Sequence, residues 1–306
     1  MAYLKTGLIG AGVFGGYHAG KIAASGRTEF AGVFDPDTDR AKALADKHAA
    51  PVLESEAALH EVCDSVIVAC PATYHEAVVQ RALEAGLHVL VEKPLALSGD
   101  AAKRLAELAD EKELVLQVGH QERLVLAAMG FFDIDEKPIS IEAVREGPPA
   151  PDGRAGDVSV IWDLMIHDLD MAAKLVCAGA NASGEGQVRH TDHIDEAVAD
   201  LDFLNGATAV IKASRAASER HRAMSITYPS GTISIDFLTR KVVNTTPHAI
   251  RADVSADLPD PLGAADEAFF IACLGMRETP IPGREAAEAV RLAELVEQTA
   301  LQTIGA

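Results

Sequence analysis

The sequence lacks an apolar run long enough to cross a membrane. Its longest apolar runs, such as Ser65–Ala69 and Val89–Val91, have the length of a strand, whereas a membrane helix needs roughly 20 residues. Met1–Lys5 leads directly into a glycine-rich run, without the charged, apolar and small-residue zones of a signal peptide. We therefore predict a cytoplasmic protein that has no membrane partner.

Cysteine is also scarce. The four cysteines lie far apart and form no CxxC pair: Cys63, Cys70, Cys177 and Cys273. Without a secretory signal, this spacing predicts reduced thiols and no disulfide framework. Free cysteines usually behave as small buried hydrophobic residues, and we expect the same here.

Positive charge is in short supply, with 27 Lys and Arg against 46 Asp and Glu and a formal net charge of −19. Such a surface repels nucleic acid and anionic membranes, so a nucleic-acid partner is not expected. An anionic small ligand would require only a local cluster of Arg or Lys. The 306 residues, 48% of them apolar, are enough for one large globular domain or two ordinary ones.

Strand and helix signals alternate over residues 1–120, and the strands are apolar on both faces. This pattern predicts an α/β domain in which helices cover a parallel sheet. Over residues 121–306 the pattern changes to a helix near Ser159–Val176 and then to longer alternating strands, followed by a helical tail over Pro261–Thr303. The strands are joined by turns at Asn205-Gly206 and Ser230-Gly231, which are typical of hairpins. We predict an α+β second domain with an open, largely antiparallel sheet. The four predicted strands are Ala197–Phe203, Ala207–Ser214, Met224–Tyr228 and Thr232–Phe237.

A glycine motif follows the first predicted strand and opens a helix. In the motif Gly10-Ala11-Gly12-Val13-Phe14-Gly15, the first glycine permits a tight turn and the second admits a pyrophosphate. The third allows the helix to pack closely. The motif predicts a dinucleotide-binding Rossmann domain over residues 1–120, with Gly10, Gly12, Val13, Phe14 and Gly15 at the cofactor.

Asp35 ends the second predicted strand, 35 − 15 = 20 residues after the third glycine. An acidic side chain there accepts hydrogen bonds from the ribose hydroxyls and repels a 2′-phosphate, which favours NAD over NADP. Asp35 could also be the N-cap of a helix that begins at Pro36, and both roles can hold together. Arg40 could weaken the preference, so NADP is not excluded.

Two charged residues and a proline end another predicted strand, in the run Glu92-Lys93-Pro94. Ligands bind outside the carboxyl ends of parallel strands, so Glu92 and Lys93 are predicted near the cofactor. An ammonium group there can stabilise a developing alkoxide. Pro94 either restricts Lys93 to extended geometry or forms a cis bond with it.

Asp163 and His167 lie four residues apart on the predicted helix of the second domain, and Asp170 continues the polar stripe. A carboxylate beside an imidazole raises its basicity, which suits a general base. The alternative interpretation is a solvated polar face with an incidental histidine.

These motifs together resemble the Gfo/Idh/MocA oxidoreductases, which include glucose–fructose oxidoreductase and inositol dehydrogenase. The resemblance covers essentially the whole chain and rests on the order and spacing of five features: Gly10–Gly15, Pro71–His75, Glu92–Pro94, Arg123 and Asp163–Asp170. It implies a Rossmann domain, an open-sheet α+β domain, and NAD-dependent oxidation of a sugar or polyol hydroxyl where the domains meet.

The resemblance also implies roles for single residues. Lys93 matches the substrate-positioning lysine of the family, and Asp163 and His167 match its Asp–His pair, with His167 as the acid/base. Pro71, His75 and Glu92 match positions at the nicotinamide pocket.

One feature departs from the common family pattern, and a second goes beyond what a neutral sugar substrate requires. Met165 stands where the family commonly has glycine, and is expected to reshape the substrate pocket. A surplus of cations over residues 212–222, with Arg145 and Arg154, suggests either an anionic substrate or a basic patch that offsets an acidic chain. The candidate substrate contacts are Arg123, Arg154 and Arg215. Residues 119–123 and 163–170 resemble a subgroup that acts on nucleotide-linked amino sugars.

Other interpretations remain open at this point. The chain could be an NAD-binding sensor without catalysis, or a reductase of a tetrapyrrole or imine on the same scaffold. The resemblance further implies a homodimer or homotetramer formed through the open sheet. His190 and His193 lie beside Asp192 and Asp195 in a polar loop, where a solvated turn is favoured over a metal site, so no metal is predicted.

Overall fold

The computed structural model describes residues 3–150 and 156–304. Within that range the strands are β1 Leu4–Ile9, β2 Thr28–Phe34, β3 Ser65–Val68, β4 His88–Val91, β5 Leu116–Val118, β6 Ser140–Glu146, β7 Ala180–Gln187, β8 Glu196–Phe203, β9 Thr208–Ser214, β10 His221–Tyr228, β11 Gly231–Asp236 and β12 Lys241–Asn244. The helices are α1 Val13–Ala24, α2 Thr38–His48, α3 Glu56–His60, α4 His75–Glu84, α5 Gly99–Glu111, α6 Glu122–Met129, α7 Ile166–Val176, α8 Pro261–Cys273 and α9 Gly283–Ile304.

The chain divides into two compact units, but not at a single point. One unit comprises Met1–Leu124 with Asp260–Ala287, and the other comprises Val125–Pro259 with Glu288–Ala306. The predicted boundary near residue 120 lies close to the first division. The prediction of two contiguous domains, 1–120 and 121–306, missed the return of the chain to the first unit.

The return has a hydrophobic cause. Phe269 and Phe270 on α8 are fully buried in the core cluster that lines the first sheet, together with Leu8 and Ile22. Burying a phenylalanine side chain contributes about 1.5–3 kcal/mol. These two aromatic side chains therefore tie α8 to the first unit.

The first unit contains a parallel sheet in the order β2-β1-β3-β4-β5. Its central strands are buried on both faces, as Ser65–Val68 illustrates, which confirms the predicted parallel sheet. After β1 the chain moves to β2 on one side, and β3 then pairs with β1 on the other side. This change of direction opens a crevice at the carboxyl ends of β1 and β3, where ligands of such sheets bind.

The second unit contains a seven-stranded sheet in the order β12-β11-β10-β6-β9-β8-β7. Only the β6–β9 pair is parallel, so the predicted, largely antiparallel open sheet is confirmed. The strands β6, β7 and β12 were not predicted. In β7, small and polar residues dominate, and the space for a side chain at Gly184 is taken by Val296 of α9, 2.6 Å from where a Cβ would lie.

The predicted helix over Ser159–Val176 is present, but it begins as a π-helical turn, Ile161–Met165, before α7. Met165 is fully buried in the second unit, and its effect on the substrate pocket stays a prediction. Asp168 and Asp170 are also buried. The interpretation of a wholly solvated polar face is therefore wrong, because only part of that stripe is accessible.

All four cysteines are free, but they differ in exposure. Cys63 is buried, Cys70 and Cys273 are half-buried, and Cys177 is exposed. The expectation of four buried thiols is wrong for Cys177, which follows α7 with φ of 54°. None of the helices that the structure describes has both the length and the apolar character of a membrane span.

Candidate active site

The carboxyl edge of the parallel sheet brings together the predicted cofactor residues of the first unit. The glycine turn follows β1, Asp35 follows β2, Pro71 follows β3, and Glu92 and Lys93 follow β4. Because parallel strands end at the same edge, residues scattered over the sequence gather beside one crevice.

The fold requires glycine at two positions of this turn, Gly10 and Gly15, but not at Gly12. Gly10 has φ of 102°, and a Cβ there would lie 2.7 Å from the carbonyl group of Ala69. A Cβ on Gly15 would overlap the carbonyl oxygen of Gly10. Gly12 has no described atom within 4 Å of its Cβ position. The protein itself therefore does not explain Gly12, whereas a pyrophosphate approaching the main chain does.

The start of α1 also fits an anionic group. Gly12 is the N-cap of α1 and provides no side-chain hydrogen bond to the first turn. A helix N-terminus carries partial positive charge and exposes N–H groups that bind phosphate. Val13 is 57% exposed, and the ring of Phe14 lies edge-on to that of Tyr17. The roles of Val13 and Phe14 at the cofactor stay predictions.

Asp35 contacts the glycine turn directly. Its Oδ2 accepts a hydrogen bond from the main-chain N–H of Ala11 at 2.6 Å, and its Oδ1 accepts one from Asp37 at 2.8 Å. The N-cap of α2 is Asp37, which accepts from the N–H of Arg40. The alternative role of Asp35 as an N-cap is therefore wrong, and the carboxylate lies at the turn where the resemblance implies a ribose.

Pro71 and His75 have different surroundings. Pro71 is exposed and precedes a 3₁₀ turn, Ala72–Tyr74. His75 is buried, and its ring nitrogens lie 2.6 Å from the carbonyl oxygen of Pro94 and 2.9 Å from that of Cys70. Burial lowers the pKa of His75. A neutral imidazole donates only one of these hydrogen bonds, so the ring lies between carbonyl groups of the segments after β3 and β4. The role of His75 at the nicotinamide pocket stays a prediction.

In the segment after β4, the carboxylate of Glu92 is held by contacts with His18 and with the main chain of Lys93. The Lys93–Pro94 bond is cis, which decides between the two alternatives that the sequence left open. Lys93 is half-buried. The Glu92 carboxylate lies 3.0 Å from Nε2 of His18 and accepts a longer bond from the main-chain N–H of Lys93 at 3.3 Å.

The role of His18 was not predicted from the sequence. Its ring is 1% exposed and lies between Glu92 and Asp266. A periodic signal was present: Gly15, His18, Ala19 and Ile22 form the buried face of α1. Asp266 likewise lies on the buried side of α8 among apolar residues.

In the second unit, Asp163 and His167 share the half-buried face of the π-helical turn and α7. A spacing of four residues is expected to place both side chains on one face, and a hydrogen bond between them stays a prediction. Asp163 also lines a cavity of about 590 Å³. Four arginines line the same cavity: Arg145, Arg215, Arg220 and Arg222.

Arg145 and Arg215 each pair with a buried aspartate. Arg145 donates to both carboxylate oxygens of Asp168, at 2.8 and 3.1 Å, and both residues are fully buried. Arg215 donates to Asp195 at 2.6 Å. The expectation that Arg145 supplies spare positive charge is therefore wrong, and the charge of Arg215 is largely neutralised. Arg154 lies outside the described residues.

Arg123 is buried near the end of β5, and its Nη1 donates to Glu285 at 2.5 Å. Its role at a substrate stays a prediction.

Asp195 accepts main-chain N–H bonds from Arg189, His190 and Thr191. Burial alone would raise the pKa of Asp195, but these donors and Arg215 hold it well below its usual value. Hydrogen bonds from its own main-chain N–H groups to the Asp195 carboxylate therefore hold this polar loop in place.

Comparison with known proteins decides the family. Residues 4–120 match an oxidoreductase family with an NAD-binding Rossmann fold, and residues 139–234 match the GFO/IDH/MocA C-terminal domain. A UDP-N-acetylglucosamine 3-dehydrogenase of Acidithiobacillus ferrooxidans is 36% identical over 278 residues, 89% of this chain and 84% of that protein. The chain belongs to the Gfo/Idh/MocA oxidoreductase family.

Two further similarities agree with this assignment. A solved structure of UDP-N-acetylglucosamine 3-dehydrogenase GnnA from Acidithiobacillus ferrooxidans superposes with a TM-score of 0.87 at 32% identity, covering 99% of this chain and all of that one. A scyllo-inositol 2-dehydrogenase (NAD(+)) of Bacillus subtilis is 28% identical, over 71% of this chain and 69% of that protein. This Gfo/Idh/MocA protein is thus an NAD-dependent oxidoreductase, as predicted.

Proposed function

We propose that this protein is an NAD-dependent dehydrogenase that oxidises a secondary hydroxyl group of a nucleotide-linked amino sugar. The arginine-lined cavity beside Asp163 is the observation that carries this choice of substrate. The similarity to a UDP-N-acetylglucosamine 3-dehydrogenase over 89% of the chain supports it.

In the proposed reaction, His167 accepts the proton of the substrate hydroxyl. Asp163 orients the imidazole. The ammonium group of Lys93 positions the substrate oxygen and stabilises its developing negative charge. NAD, when bound, supplies the nicotinamide ring that accepts the hydride, so the products are a ketone and NADH.

The cavity suits an anionic group in an otherwise acidic protein. Arg220 is exposed and Arg222 is half-buried, and both line the cavity that reaches Asp163. Guanidinium groups bind phosphate through paired hydrogen bonds. The net charge of −19 would otherwise repel a diphosphate. A local cluster of arginines removes that obstacle where the substrate is proposed to bind.

A substrate panel tests the proposal. UDP-N-acetylglucosamine, free N-acetylglucosamine and scyllo-inositol are each incubated with NAD⁺, and NADH formation is followed by absorbance. We expect the highest kcat/KM for UDP-N-acetylglucosamine. Faster oxidation of scyllo-inositol or of the free sugar would contradict the nucleotide-linked substrate, and no turnover by the panel would count against sugar oxidation.

Replacing Arg220 with glutamine is expected to raise the KM for UDP-N-acetylglucosamine by about tenfold, with kcat nearly unchanged, because a uniform binding contact is lost. The matched control is Arg189→Gln, since Arg189 is an exposed arginine that pairs with Glu196 and does not line the cavity. Steady-state kinetics on the three proteins measure the effect. Equal KM values for wild type and Arg220→Gln would remove Arg220 from the substrate site.

We also propose that the protein forms a homodimer or homotetramer through the open face of its second sheet. That face carries Val210, 37% exposed, and Val243, 57% exposed, among polar residues. Val210→Glu is expected to dissociate the oligomer, because burying an unpaired carboxylate is costly. Leu204→Glu, in an exposed hairpin turn, is the control. Light scattering decides, and a monomeric wild type at micromolar concentration would refute the proposal.

A further inference from the structure

A buried histidine in the first unit lies between two buried carboxylates. Nδ1 of His18 is 2.9 Å from Oδ2 of Asp266, and Nε2 is 3.0 Å from Oε1 of Glu92. His18 is 1% exposed, Asp266 is fully buried, and Glu92 is 7% exposed. A neutral imidazole has a single N–H group, so simultaneous donation to both carboxylates requires the imidazolium.

The cluster joins three distant segments of the chain. His18 lies on α1 directly behind the glycine turn, Glu92 follows β4, and Asp266 lies on α8, 248 residues after His18. The proposed reaction assigns no role to His18 or Asp266. Two buried carboxylates around one imidazole are nevertheless costly to maintain unless all three groups are paired.

The charges around His18 favour its protonated form. Burial alone would lower its pKa, but Asp266 and Glu92 outweigh that effect and raise the pKa to about 10. Lys21 acts on Asp266, and Lys93 and His75 act on Glu92, from the neighbouring elements. His18 therefore remains a cation through the neutral range.

The carboxylate of Glu92 is fixed on several sides. Besides His18, it accepts a hydrogen bond of 3.3 Å from the main-chain N–H of Lys93. A Cβ on Gly119 would lie 2.9 Å from its Oε2, so the main chain after β5 packs against it. Any movement of Glu92 would therefore be transmitted to the main chain of Lys93.

We propose that His18 and Asp266 are positioning residues, which hold Glu92 and thereby the adjoining Lys93 in place for reaction. Asp266 keeps His18 charged, and His18 fixes Glu92. This explains why the buried face of α8, which is otherwise apolar, carries an aspartate. The inference rests on the proposed role of Lys93 in substrate oxidation.

The charge of His18 is tested by NMR on protein labelled with ¹³C at the histidine Cε1 atoms. The His18→Gln variant assigns the resonance by its disappearance. In the wild type, we expect no titration of His18 between about pH 6 and about pH 8.5, because its pKa lies above this range. In Asp266→Asn, the loss of one carboxylate lowers the pKa of His18, so the His18 resonance should titrate within this pH range.

The positioning role is tested by kinetics with UDP-N-acetylglucosamine and NAD⁺. His18→Gln is expected to lower kcat by about 10- to 100-fold, since small displacements of a reacting group are costly, while the Kd for NADH changes by less than about threefold. In Asp266→Asn, kcat should show an added decline as pH rises through the lowered pKa of His18, because deprotonation weakens the bond to Glu92.

Glu267→Gln is the matched control. Glu267 is the next residue on α8 and pairs with Arg27 at 3.1 Å, but both side chains are exposed. Its loss should change neither kcat nor the pH profile, because exposed ion pairs contribute about 0–1 kcal/mol.

Three results would overturn the inference: titration of wild-type His18 near neutral pH, wild-type kcat in His18→Gln, or a crystal structure of Asp266→Asn with Glu92 and Lys93 unmoved and an unchanged pH profile. If wild type oxidises no compound of the panel, the proposed function fails instead. The NMR titration and the crystal structures then still decide whether His18 is charged and whether it fixes Glu92.

Discussion

Replacing His167 with alanine is expected to lower kcat by about 10²–10⁴-fold, the usual contribution of a general base. The Kd for NADH should barely change, because the glycine turn and Asp35 are untouched. Fluorescence titration with NADH and steady-state kinetics measure both quantities. Wild-type turnover in His167→Ala would contradict the proposed mechanism, and the histidine would then be an incidental member of a polar face.

Lys93→Ala provides the companion test. We expect a loss of similar size, and the double variant should lose far less than the product of the two, because both residues act on the same hydroxyl group. Asp163→Asn should be milder than His167→Ala. The reason is that Asp163 is proposed to orient the imidazole and not to accept the proton itself.

The second large effect concerns the glycine turn. Two glycine-to-alanine substitutions there should have different effects, because one weakens NADH binding and the other destabilises the fold. Gly12→Ala is expected to keep wild-type stability, because its φ of −77° suits any residue and no described atom lies within 4 Å of the new Cβ. Its affinity for NADH should fall by about 10- to 100-fold, since the added methyl group occupies the space proposed for the pyrophosphate.

Gly15→Ala should instead destabilise the protein by about 1–3 kcal/mol or more, because its Cβ would overlap the Gly10 carbonyl oxygen. Thermal unfolding and NADH titration on both variants separate the two outcomes. Wild-type NADH affinity in Gly12→Ala would contradict the placement of the cofactor at this turn.

The parts of this protein that depend on local pattern could be predicted. The apolar strands with alternating helices predicted the parallel sheet, and the Asn-Gly and Ser-Gly turns predicted the hairpins of the second sheet. Strand β7 was missed because its strand geometry comes from pairing with β8 and from the close approach of α9 at Gly184. The π-helical turn before α7 likewise has no signal in residue spacing.

The residues of the candidate site also differ in whether the sequence could predict them. Lys93, Asp163 and His167 could be named because their motifs are short and their spacing is local. The partners of the charged residues could not be named: Arg145 and Arg215 were expected to face an anion, but they pair with Asp168 and Asp195. Which charges remain available to a ligand depends on which ones the fold has already neutralised.

By itself, the sequence determined the family, the glycine turn, the acidic residue after β2 and the charged segment after β4, because each depends on residue types at fixed short spacing. Only the tertiary structure decided that α8 returns to the first sheet and that Asp266 meets His18 across 248 residues of chain. The reason is physical: contacts between distant segments are selected by burial and charge pairing in the folded chain, and these leave no periodic trace along the sequence.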